Sequence, residues 1–190
     1  MLNENQEICL QELEEIYGLL KQIALEPKTD HKKLILYLKW LKKKTLLVLN
    51  EKAFNPEDLP ELKRGMVILV DFGFNIGNEF GGIHPAIVLR NSSKNSPGVL
   101  VLPISSKKPQ NIKDFHIEIG KIVGLKEYHW ANIMHIVEVS KQRIIIPPEP
   151  KNVEGKVLNR ISGAIITQIA LRGKKNNREV IENLLSNQNI

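Results

Sequence analysis

The chain has 190 residues, 42% of them hydrophobic, with a net charge of +6 and a sequence pI of about 9.3. This is enough apolar material for one domain with an appendage, or for two small domains, and the positive excess suits either a polyanionic partner or plain solubility. No apolar run reaches the length of a membrane span, no basic segment followed by an apolar one opens the sequence, and the lone Cys9 excludes a disulfide framework and a thiolate metal cage, so a cytoplasmic protein is expected.

Residues 4–25 place Ile8, Cys9, Leu13, Ile16, Tyr17, Leu20 and Ile23 at helical spacing. Pro27 ends this helix, and Thr29 or Asp30 caps a second one that runs to about Leu49 through Leu34, Leu38, Leu41 and Leu46. The first helix carries Glu4, Glu7, Glu12, Glu14 and Glu15. The second carries Lys32, Lys33, Lys39, Lys42, Lys43 and Lys44. An antiparallel hairpin with flanks of opposite sign is expected over residues 1–50. Pro56 and Pro60 mark residues 51–61 as a linker.

The pattern then changes to β. The runs MVILVD (66–71), PAIVLR (85–90) and GVLVLP (98–103) are separated by Gly, Asn, Ser and Pro clusters, and FHIEI (115–119) and WANIMHIVEV (130–139) follow. Short strands at this spacing predict a small antiparallel sheet or partly open barrel. Helical spacing returns over 153–172 through Val157, Ile161, Ile165 and Ile169, predicting a helix packed on the strands, and a short last helix follows in the tail.

Two segments carry candidate chemistry. In GNEFGGIHPAIVLRN (77–91), Gly81 and Gly82 permit a tight turn, and Pro85 at a strand start costs no ladder hydrogen bond. His84 is therefore expected at a strand edge, where a loop meets the sheet. In LPISSKKPQNIKD (102–114), Ser105 and Ser106 close an apolar strand, and Lys107, Lys108 and Lys113 lie in the loop after it. Hydroxyls and ammonium groups contact phosphate well, but serines also serve turns and lysines also solvate a surface. Taken singly, each segment has a structural reading that outweighs the functional one. The five histidines show no metal-ligand spacing; His129 and His135 could share one face of a strand, with no Cys or Asp partner nearby in sequence. There is no phosphate-binding loop and no dinucleotide fingerprint. Neither a metal nor a cofactor is expected.

Taken in order, however, KRGMVILVDFGFNIGNEFGGIHPAIVLRN and GVLVLPISS resemble the MazF/PemK (Kid) family of toxin–antitoxin ribonucleases. The family's Arg-Gly before the first strand is matched by Arg64 and Gly65, and its strand-ending Asp by Asp71. Its Gly-x-Glu-x-x-Gly-x-Arg-Pro loop is matched by Gly77, Glu79, Gly82, His84 and Pro85, with His84 in place of the arginine. Its Pro-Ile-Thr/Ser strand end is matched by Pro103, Ile104 and Ser105. Weaker echoes occur in HIEI, VSKQRI and the helix at 153–172. Where the family's later strand often has Gln and Arg, this chain has His135 and Val137.

The resemblance implies an SH3-like small β-barrel with helices over 62–173, between the helical hairpin and a C-terminal helical tail (174–190). It implies a homodimer, a cognate antitoxin, and metal-free cleavage of single-stranded RNA by 2′-OH attack. His84 and Ser105 become the expected catalytic pair. Glu79, Ser106 and His135 would support them, and Arg64, Lys107, Lys108 and Lys113 would hold RNA. Arginine stabilises charge but carries protons poorly, whereas imidazole, with an ordinary pKa of about 6.5, does both near neutrality. The competing class is a non-enzymatic barrel toxin of the CcdB kind, acting on gyrase, or an RNA-binding module without cleavage.

Overall fold

The computed structural model describes residues 2–122, 124–125, 127–145 and 151–170. They form two compact units, Met1–Lys52 and Ala53–Ile190. The expected tail helix and the last two residues of the helix predicted over 153–172 lie outside the described residues.

The first unit holds α1 (Glu4–Leu25) and α2 (His31–Leu49). Asn3 opens α1 with a reciprocal capping box to Gln6, and Asp30 caps α2 by accepting from the Lys33 N–H. Between them, the Thr29 hydroxyl donates to the Ile23 carbonyl at 2.7 Å, which satisfies one of the orphan acceptors of α1. Neither helix has a buried residue.

The second unit is an antiparallel sheet with one helix: β1 (Met66–Asp71), β2 (Ile83–Val88), β3 (Gly98–Ser105), β4 (His116–Lys121), β5 (Tyr128–Asn132), β6 (Val137–Ser140), β7 (Ile144–Ile145), β8 (Lys151–Asn152) and α3 (Gly155–Ile165). The pairing runs β4-β5-β3-β2-β1-β7, with β6 also on β3 and β8 also on β1. The two ends of this path do not pair with each other, so among the described residues the sheet is not a closed barrel.

Strand β3 is the pivot. One edge pairs with β2; on the other, residues 98–101 pair with β6 and residues 104–105 with β5. Strands β1–β3 are covered on both faces. Val67, Ile87, Leu102 and Ile104 face a cluster completed by Ile119, Ala131, Ile133, Val157 and Ile161. Ile68, Val70, Ala86, Val88, Val99 and Val101 face a second cluster with Leu62, Phe72 and Val139. Burial on both sides is why these strands read as unbroken aliphatic runs rather than alternating ones. Each fully buried aliphatic side chain contributes about 1.5–3 kcal/mol. Helix α3 turns Val157 and Ile161 inward, and the Arg160 guanidinium donates to the Glu118 carbonyl at 2.7 Å.

Two elements differ from their sequence expectation. Residues 130–139 are not one strand: the Asn132 side chain accepts from the Met134 N–H, turns Ile133–His135 into a 3-10 turn, and separates β5 from β6. His129 and His135 therefore share no strand face. His129 is buried on β5, and His135 ends the turn. Strand β2 starts at Ile83, ahead of Pro85, because Ile83 and His84 pair with Asp71 and Val70.

Candidate active site

A cleft of about 390 Å³ lies where the C-terminal end of β3 meets β5, and Ser105, Lys107, Lys108, His116, Trp130 and His135 are among the residues that line it. The β3–β5 register sets Ser105 directly opposite Trp130. The Ser105 hydroxyl accepts from the Lys107 N–H at 3.1 Å, closing the turn after β3. That bond uses a lone pair and leaves the hydroxyl proton to donate. Lys108 Nζ stands 5.7 Å from the centre of the Trp130 ring, a cation–π distance.

The Phe80 ring forms the wall between two histidines. His84 stacks on it edge-on, with ring centres 4.8 Å apart at 67°, and His135 lies tilted at 5.5 Å. Phe80 owes its position to the 72–82 loop. The loop is pinned at its base by Phe72 N–H to the Gly82 carbonyl at 2.8 Å and Gly82 N–H to the Gly73 carbonyl at 2.7 Å. The Asn75 amide donates to the carbonyls of Phe72 and Phe80. Gly82 has φ +82°, a conformation that disfavours side chains, and this reversal sets His84 at the start of β2. From β6's far end, the Arg143 guanidinium donates to the carbonyls of Asp71 and Phe72. Burial pushes the Arg143 guanidinium down from its ordinary value, with the Asp71 carboxylate opposing the shift.

Both histidines beside Phe80 are half-buried. Desolvation lowers the affinity of His84 for its proton, and desolvation together with repulsion from His116 lowers that of His135. At neutral pH each is therefore a neutral imidazole able to accept a proton.

Of the residues singled out in the sequence, the structure gathers His84, Ser105, His135, Lys107 and Lys108 at or beside one cleft. Lys113 does not line the cleft: its Nζ stands 5.7 Å from the Phe115 ring centre, and its N–H donates to the His116 Nδ1. The Glu79 carboxylate accepts from the Ile76 N–H at 3.2 Å and so shapes the loop. Ser106 is exposed in the turn after β3. Arg64 is placed elsewhere: its guanidinium donates to the Ser162 hydroxyl on α3 at 2.8 Å and its N–H to Asn91, at the opposite end of β1 from the His84 pairing. Phe80, His116 and Trp130 were not anticipated. Phe80 lies within the quoted loop motif, but its role emerges only when two distant histidines meet on its ring. Among the described residues, no group of three or more His, Cys, Asp or Glu could hold a metal ion.

The site is an antiparallel sheet that carries imidazoles, a hydroxyl and ammonium groups near one strand end. Residues 63–172 match the PemK-like, MazF-like toxins of type II toxin–antitoxin systems, and the chain belongs to that family. Endoribonuclease EndoA of Bacillus subtilis (strain 168) is 26% identical over 113 residues, covering 58% of this chain and 96% of EndoA. The crystal structure of MazF from Deinococcus radiodurans is 17% identical and covers 60% of this chain and 100% of its own, with a TM-score of 0.50. A mycobacterial endoribonuclease in complex with its cognate antitoxin is 18% identical, covering 61% of this chain and 100% of its own at a TM-score of 0.45.

Proposed function

We propose that the protein is a toxin-type endoribonuclease that cleaves single-stranded RNA without a metal ion. The observation that carries this reading is the pair His84 and His135 on one Phe80 ring, beside a cleft lined by Ser105. His84 takes the 2′-OH proton as general base. The 2′-oxygen attacks phosphorus, and the bond to the 5′-oxygen breaks. His135, protonated beside the bound phosphodiester's negative charge, gives its proton to that leaving oxygen. Ser105 donates to a non-bridging oxygen as charge grows there. Lys107 and Lys108 hold neighbouring phosphates, and Trp130 offers a face on which a splayed base stacks. The products are a 2′,3′-cyclic phosphate and a 5′-hydroxyl.

The family's description supplies the antitoxin partner. The same reading takes the active form as a cytoplasmic homodimer; among the described residues no helix is long and apolar enough to cross a membrane. Incubating the purified chain with single-stranded RNA tests the assignment. Cleavage that His84→Ala and Ser105→Ala each slow by about 10²-fold or more supports it, and cleavage indifferent to both substitutions contradicts it.

A further inference from the structure

His116 was not anticipated from the sequence, and its environment differs from that of the other two histidines near the cleft. It begins β4 and closes a local turn twice. Its N–H donates to the Lys113 carbonyl at 2.8 Å, and its Nδ1 accepts from the Lys113 N–H at 3.0 Å. The Phe115 ring packs against it edge-on, with centres 4.6 Å apart. A backbone N–H is always a donor, so Nδ1 must be the acceptor and the ring proton sits on Nε2. An imidazolium would set an Nδ1–H against the Lys113 N–H and lose that bond. His116 lines the cleft, and with Nδ1 turned to the backbone the nitrogen left for a ligand is Nε2, carrying hydrogen. The described residues provide no such lock for the rings of His84 and His135, which meet Phe80 instead.

We propose that His116 is a further catalytic residue of this cleft: a neutral imidazole whose Nε2–H donates to a non-bridging oxygen of the scissile phosphate and transfers no proton. The proposal rests on the ribonuclease reading above. It divides the three histidines by chemistry. His84 and His135 move protons, while His116, held in one tautomer, joins Ser105 in stabilising the charge that develops on the non-bridging oxygens. The charged and titratable groups sharing the cleft are Lys107, Lys108 and His135; Lys113 lies on the same turn as His116, and Asn132, opposite it on β5, is uncharged.

The test uses the full chain, His116→Gln and His116→Ala. Glutamine carries a neutral N–H donor close to the position of Nε2. With a single-stranded RNA substrate, His116→Ala is expected to lower the cleavage rate by about 10²-fold, the scale for losing one transition-state donor. The rate–pH profile should keep both limbs, because His116 transfers no proton. His116→Gln should recover most of the loss. An alanine variant that loses one limb of the profile, or a glutamine variant as slow as alanine, overturns the proposal. A readout independent of cleavage separates this idea from the reading beneath it. Long-range proton–nitrogen NMR at pH 7.5 should show His116 with hydrogen on Nε2 alone. That Nε2–H should shift on adding an oligonucleotide with 2′-deoxyribose at every position. A ring protonated on Nδ1, or an Nε2–H unmoved by the oligonucleotide, contradicts the proposal even if the wild type cleaves RNA. A wild type that binds the oligonucleotide through His116 but cleaves no RNA defeats the ribonuclease reading and, with it, the catalytic role.

Discussion

Strands β1–β3 and helices α1–α2 are both rich in aliphatic residues, yet they use them in opposite ways. Val70, Ala86, Ile87, Val88, Val101, Leu102 and Ile104 are all 0% exposed, whereas Leu13, Tyr17 and Leu49 are 62%, 67% and 75% exposed. The helices draw on local order: a capping box, an Asp cap and good helix formers, with caps contributing about 0.5–2 kcal/mol each. The strands draw on long-range burial from two sides. Apolar content therefore does not locate stability; pairing does. The chemistry follows the strands, since every residue assigned to it lies on or next to the sheet.

The largest effect expected from this contrast is on folding. Ile104→Ala should cost about 2–5 kcal/mol, while Leu13→Ala should change stability by less than about 0.5 kcal/mol. Urea titrations of the two variants measure the difference, and equal losses would erase the distinction between the regions. Next come the cleft residues. His84→Ala and Ser105→Ala should each slow cleavage by about 10²-fold or more, with urea midpoints near that of the wild type because both side chains are only half-buried. His84→Arg should retain part of the activity if arginine and histidine serve one chemistry. Unfolding of these variants would return His84 and Ser105 to a structural role.

A chain starting near Leu59 should keep the sheet and some cleavage while changing oligomeric state or solubility, as light scattering and an RNA assay report. A folded but inactive chain would instead assign the lysines of α2 to the RNA site. The smallest effect is on pH dependence of stability. His84 and His135 bind protons less readily when folded than at their ordinary value of 6.5. Below that pH the unfolded chain takes up more protons, so stability falls as pH drops from 6.5 toward the folded values, then levels off. His84→Asn should shallow that slope in urea midpoints measured between pH 7.5 and 5; a slope unchanged or steeper would contradict the placement of His84.

Much of the sheet was legible because β1 and β3 are unbroken Val/Ile/Leu runs between turn residues. Helices α1 and α2 announced themselves through periodicity and through Pro27 and Asp30 at the joint between them, whereas the Asn3 cap of α1 was not read from the sequence. The split of 130–139 was hidden, since an Asn side chain that caps a turn looks the same in sequence as one inside a strand. His84 and Ser105 could be singled out from their motifs. His116 could not, because its meaning depends on β4 pairing with β5, which brings it to the cleft that His135 also lines. Arg64 shows the reverse: it belongs to the ordered motif, yet its guanidinium is bonded to Ser162, away from the cleft.

The central claim is that proton transfer by two imidazoles, one taking the 2′-OH proton and one giving a proton to the 5′-oxygen, cleaves RNA in this cleft without a bound metal. Its most direct test is to incubate the purified protein with single-stranded RNA in excess chelator and to read the product ends by mass spectrometry. The account predicts cleavage that leaves a 2′,3′-cyclic phosphate and a 5′-hydroxyl. Products ending in a 3′-hydroxyl, or cleavage that appears only when magnesium is restored, would contradict it.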